Sequence, residues 1–129
     1  MFTSSIGQYG DLGLLVLRFA LGFIFLYHAY PKLSRAKSMA GMFGGRVWAV
    51  QLLGAVELLG AIGVMTGVYF LVSTCALAVL MVGAMYMKVV KWKVPFSAMD
   101  KMGWEFDLIL LAVAVALHLG GGGSLFFLM

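Results

Sequence analysis

The sequence predicts an all-α integral membrane protein, an antiparallel four-helix bundle with both ends of the chain on the outer face (N-out/C-out). Three observations carry that expectation. Of 129 residues, 64% are apolar and only 11% are charged, against ~45–50% and ~25% in ordinary soluble domains. The apolar residues gather into four runs, each near the ~20 residues that a hydrocarbon core requires of a helix. Lysine and arginine gather in alternate connections rather than along the whole chain. A mean hydropathy of +1.06 argues against a soluble enzyme or a disordered segment. The net charge of +4 would suggest nucleic acid in a soluble chain, but here the positives lie between apolar runs, so no nucleic acid is expected.

The first run spans Leu12 to Tyr30 and meets Pro31-Lys32, where proline is expected to stop the helix. The segment before it, MFTSSIGQYGD, carries no Lys or Arg, so a retained helix is expected rather than a cleaved signal. The second run, Val47 to Thr66, carries one acid, Glu57. The third, 68–90, follows a turn at Gly67, so the two should form a tight antiparallel hairpin. The fourth, 104–119, is shorter and closes on four glycines, 120–123. Runs of this length must be helical, because hydrocarbon cannot satisfy an open backbone. One membrane domain over 1–129 accommodates them, with no length left for another.

Orientation follows from the basic residues. The first connection holds Lys32, Arg35, Lys37 and Arg46, and the third holds Lys88, Lys91, Lys93 and Lys101. The positive-inside rule puts both connections in the cytoplasm, which makes the chain a multi-pass protein of the cell membrane. Trp48, Trp92 and Trp104 sit beside those connections, where interfacial aromatics belong. The segment from Lys32 to Arg46 admits an open loop or an interfacial helix.

Ionisable residues inside spans cost roughly 2.5–3.5 kcal/mol each on insertion scales and mark candidate sites. Arg18, Glu57 and His118 fall at depths that permit one buried cluster, and are the candidate catalytic residues. His28 and Lys32 end the first span on the side where Glu105 and Asp107 begin the fourth, which gives a second, cytoplasmic-side set of candidate ligand-binding residues. Each has a plain alternative: an ion pair tying helices together, a histidine bonded to a neighbouring carbonyl, acids capping a helix. Small residues mark where helices touch in lipid. Gly54, Gly60, Ala61 and Val64 share the face of Glu57, which should therefore point inward, and Ala76 and Gly83 offer a similar contact stripe in the third run. Asp107, Ala114 and His118 share one face of the fourth, and Glu105, Ala112 and Ala116 another. Of ten methionines, Met39, Met42, Met99 and Met102 fall in connections away from any histidine, so no metal site is expected. The one cysteine, Cys75, cannot cycle as an internal dithiol.

The strings LRFALGFIFLYHAYPKL, ELLGAIGVMTG and GWEFDLILLAVAVALHLGGGGSL resemble the DoxX family of small four-helix membrane proteins, in order and at matching spacing. Arg18, His28, Lys32, Glu57 and Glu105 stand at the family's motif positions. The resemblance implies a four-helix bundle. It also implies a place near redox chemistry, since related proteins include subunits of a thiosulfate:quinone oxidoreductase and members of redox-stress complexes. Three roles stay open. One is a component of a membrane redox complex, with quinone as the one cofactor to consider and other redox or membrane subunits as partners. In that role Arg18 would hold an anionic group while Glu57 or His118 moves protons. A second is a non-catalytic anchoring subunit. The third is a small transporter or channel, assembled as a homo-oligomer. Whether the chain is itself an enzyme is not decided by these residues.

Overall fold

A computed structural model describes residues 9–97, 99 and 103–123, without the side chains of Met42 and Phe43. Lys101, Met102, the segment before residue 9 and the tail beyond Gly123 lie outside the described residues. The described chain is all helical: α1 (Gly10–Ser34), α2 (Ala36–Met39) with a 3₁₀ turn (Ala40–Phe43), α3 (Val47–Thr66), α4 (Phe70–Tyr86) running into a π-helical turn (Met87–Lys91), and α5 (Trp104–Gly120). Three of these helical stretches, Gly10–Ser34, Val47–Thr66 and Phe70–Lys91, are long and apolar enough to cross a bilayer. The fourth, α5, has 17 residues, about 26 Å at 1.5 Å per residue.

Among the described residues the four long helices touch in chain order. α1 packs along α3, α3 on α4 and α4 on α5, with a lighter α1–α5 contact closing the ring. The start of α1 meets the end of α3 and the segment after α5, while its last turn meets the middle of α3. Successive helices therefore run antiparallel. The end that holds the start of α1 is called the turn end below, because it also holds the α3–α4 turn. The other is the basic end.

Leu21, Phe25, Val64, Leu77, Ala114 and Leu117 fill the centre. Burying one such side chain contributes roughly 1.5–3 kcal/mol against water. In lipid, where that driving force between helices is gone, close packing has to replace it. The α3–α4 hairpin shows how. A Cβ at Gly60 would lie 2.7 Å from Leu77 Cδ2, and one at Gly63 would collide with the Ser73 side chain. Only glycine at both positions lets the two helices approach so closely. Gly67 closes α3 in the left-handed conformation (φ 88°), its N–H donating to Gly63 O at 2.8 Å, an arrangement that favours glycine.

Two expectations about elements change, and one open alternative is decided. α1 does not stop before Pro31 but continues to Ser34 with Pro31 inside it. The missing N–H sits one turn from the helix end, so a single interior bond is forgone, and Arg35 N–H closes the helix on Pro31 O at 2.7 Å. The segment after α1 is helical rather than open, and it buries Ala36 and Ala40 against Val50. Gly83 is not a helix contact: it is exposed, and a Cβ there would meet nothing within 4 Å. The small-residue stripe on α4 stops short of it.

Candidate functional site

The turn end and the basic end divide the buried charges between them. At the turn end Arg18 is fully buried (0% exposed). Its Nε donates to Val64 O at 2.9 Å, Nη2 to Met65 O at 3.0 Å and Nη1 to Gly122 O at 3.3 Å. Its guanidinium carbon lies 5.7 Å from the centre of the Phe70 ring. Val64 and Met65 belong to the last turn of α3, whose carbonyls lack helical partners and form the negative end of its dipole. A guanidinium, with five donors in a rigid fork, is suited to that position. Arg18 is thus a clamp that ties α1 to the end of α3 and to the chain leaving α5. Beside it, Thr74 Oγ1 and His118 Nδ1 are 2.9 Å apart, and Thr74 Oγ1 also donates toward Phe70 O, which links α4 to α5.

The single cluster of Arg18, Glu57 and His118 expected from depth does not form. Glu57 turns toward the basic end, where Lys32 reaches back from the last turn of α1. Lys32 Nζ lies 3.0 Å from Glu57 Oε2 and 3.3 Å from Oε1, and also donates to His28 O at 3.3 Å. Depth along a helix did not reveal that a lysine stem can fold inward, with its apolar carbons along the core and its ammonium on the acid. A second pair mirrors the first: Lys88 Nζ, from the π-helical turn, lies 2.9 Å from Asp107 Oδ2. Glu57 is 6% exposed and Asp107 4%. Glu57 Oε2 and Asp107 Oδ2 have no well-aligned hydrogen bond among the described residues, so each depends on its ammonium through charge rather than through a directed N–H.

Between the two pairs lies a cavity of about 520 Å³. Its polar lining is Lys32, Glu57, Lys88, Asp107 and His28, and its walls include Phe25, Leu53, Met81, Trp92, Phe106 and Leu110. His28 and Lys32, four residues apart, share one face of α1. The His28 ring leans on Phe106 with centroids 5.6 Å apart. Volumes of ~300–1,000 Å³, largely apolar and with a few convergent polar groups, are typical of small-molecule sites.

Of the residues predicted as a cytoplasmic-side set, His28, Lys32 and Asp107 converge on this cavity. Glu105 does not: it is exposed on the opposite face of α5, two residues and about 200° around the helix from Asp107. Glu57, expected in the other cluster, joins the cavity instead. Lys88, Trp92, Phe25 and Phe106 were not picked out as site residues. For Lys88 a signal existed, since it interrupts an apolar run three residues before its interfacial neighbours and so demands an acid partner, which Asp107 supplies.

The chain is thus a helical membrane protein with a buried arginine clamp at its turn end and an ion-paired cavity at its basic end. The model of the DoxX family matches residues 13–92, more than half of the chain, and the protein belongs to that family. The match takes in Lys32, Glu57 and Lys88 and ends before α5, so Asp107 and His118 stand outside it. No curated protein and no solved structure matches the chain.

Proposed function

We propose that this DoxX-family protein is a multi-pass component of a quinone-linked redox complex in the cell membrane, and that the cavity at its basic end receives the quinone ring. The observation that carries the proposal is the cavity itself: two buried lysine–carboxylate pairs and a histidine facing one another across otherwise apolar walls. The cavity volume suits a substituted ring with the first part of a tail, and its aromatic and aliphatic lining suits the ring faces. A bound quinone would accept two electrons and two protons.

The chain's residues have definable parts in that setting. Lys32 and Lys88 each keep an N–H to donate to a ring carbonyl while Glu57 and Asp107 hold their charge in a low-dielectric site. His28, between Lys32 and Phe106, is placed to pass protons between the connection and the cavity. Phe25, Phe106 and Leu110 keep water from the ring. With one cysteine in the chain, we assign the electron donor to a partner subunit. The basic connections at the cavity end favour a cytoplasmic position for that end, with both termini outside.

Organic extraction of protein purified in mild detergent, followed by mass spectrometry, tests the proposal. About one quinone per chain is expected from the wild type and a clear loss from Asp107→Asn. Repeated absence at stoichiometric sensitivity, with copurifying membrane proteins present, would instead favour the anchoring role.

A further inference from the structure

We infer that the cavity is loaded sideways from the bilayer through a cleft between α3 and α4 at Gly83, and that its occupant is a neutral polar ring whose aliphatic tail rests in that cleft. The inference rests on the cavity being a ligand site and adds the route and the charge class of the ligand. The α3–α4 interface is not uniform along its length. Near the turn it is as tight as helices can be, with Gly63 against Ser73 and Gly60 against Leu77. Six residues beyond Leu77, and about 120° round α4 from it, stands Gly83, which has no neighbour within 4 Å of its Cβ position. Val79, one turn earlier on the same edge, is 65% exposed. Both residues nevertheless line the cavity, together with Leu53 and Glu57 from α3. Residues that face both the cavity and the surroundings mark an opening.

The opening lies at membrane depth. Gly83 is eight positions from Lys91, the end of its span, or about 12 Å along the axis. Glu57 is ten positions from the start of α3, or about 15 Å. Against a hydrocarbon half-thickness of about 15 Å, the cleft faces acyl chains rather than water. The charges inside decide what can enter. Two ammoniums are matched by two carboxylates at 3.0 and 2.9 Å, so the cavity offers polarity without net charge. An anionic phospholipid head would have to break one of these pairs, whereas an uncharged ring with hydrogen-bonding groups does not.

The test uses the full chain in lipid nanodiscs with Trp48 and Trp104 changed to Phe, which leaves Trp92 on the cavity wall as the reporter. The probes are a benzoquinone with a decyl tail and the same ring without a tail. The expected result is saturable quenching of Trp92 by both, with Gly83→Phe weakening the tailed probe about tenfold more than the tailless ring. Equal binding of the tailed probe to wild type and Gly83→Phe would overturn the cleft while leaving the ligand site intact. Failure of both probes to quench the wild type would remove the ligand site itself. If Gly83→Phe weakens both probes alike, a benzophenone-tailed probe decides on the wild-type chain. Crosslinks in the peptide carrying Val79 and Gly83 support the cleft, and crosslinks confined to α1 or α5 overturn it.

Discussion

Changing Glu57 to Gln separates the charge of the Lys32–Glu57 pair from its shape. Gln keeps the side-chain length and one acceptor oxygen for Lys32 Nζ, but it leaves an ammonium that is only 15% exposed without a counter-charge. Breaking a fully buried pair from one side costs ~3–5 kcal/mol, and an exposed pair is worth ~0–1 kcal/mol. At 15% and 8% side-chain exposure the variant should sit nearer the buried limit, at about 2–4 kcal/mol of lost stability. Adding Lys32→Met removes the stranded charge and lets an apolar stem occupy the same path along α1. The double variant should then return to within about 1 kcal/mol of the wild type, well short of the sum of the two single costs. The assay is unfolding in mixed detergent micelles followed by circular dichroism, on the wild type, both single variants and the double. If Glu57→Gln unfolds within about 0.5 kcal/mol of the wild type, or if the two single effects simply add, the pair is not a coupled buried unit and the account of the basic end is wrong.

Other expectations concern the two ends separately. Arg18→Met strands the carbonyls of Val64, Met65 and Gly122 and should cost about 2–4 kcal/mol in the same unfolding assay, with quinone extraction from the folded fraction unchanged. A Gly63→Leu change drives a side chain into Ser73 at the tightest point of the α3–α4 hairpin. It should destabilise by several kcal/mol, roughly the upper range for overpacking, and melting curves would show it. Asp107→Asn should strand Lys88 and abolish copurified quinone, whereas Glu105→Gln, two residues away but exposed, should change neither stability nor ligand content. A matched pair of extractions checks that contrast.

Much of this could be read from residues alone, and the part that could not has a physical reason. Helix positions followed from apolar run lengths, because a bilayer fixes them and leaves tertiary packing little room to override. The inward face of α3 followed from Gly54, Gly60 and Ala61 flanking Glu57, and all three are buried. Side-chain reach was not readable. Run lengths put Arg18 within reach of the level of Glu57, yet Arg18 is taken by the open carbonyls at the end of α3 and Glu57 by a lysine from the loop side. Pairing among charges depends on which helices are adjacent, and the intervals along a single helix do not encode adjacency. Gly83 failed for a related reason. A small residue on a membrane helix permits close approach without requiring it, and Gly83, about 120° round α4 from Leu77, faces outward instead. Glu105 and Asp107 show the finer limit, since two residues along α5 separate an exposed acid from a cavity-lining one, and only the neighbour that fills each face decides between them.

The most direct test of the central claim, that the ion-paired cavity holds a neutral ring, is an equilibrium titration of the decyl-tailed benzoquinone into nanodisc-embedded protein. It compares the wild type with the Lys32→Met/Glu57→Gln double variant, whose fold is expected to be intact. One saturable site per chain is expected in the wild type, with a loss of about tenfold or more in affinity in the double variant. Identical saturable binding by both proteins would contradict it.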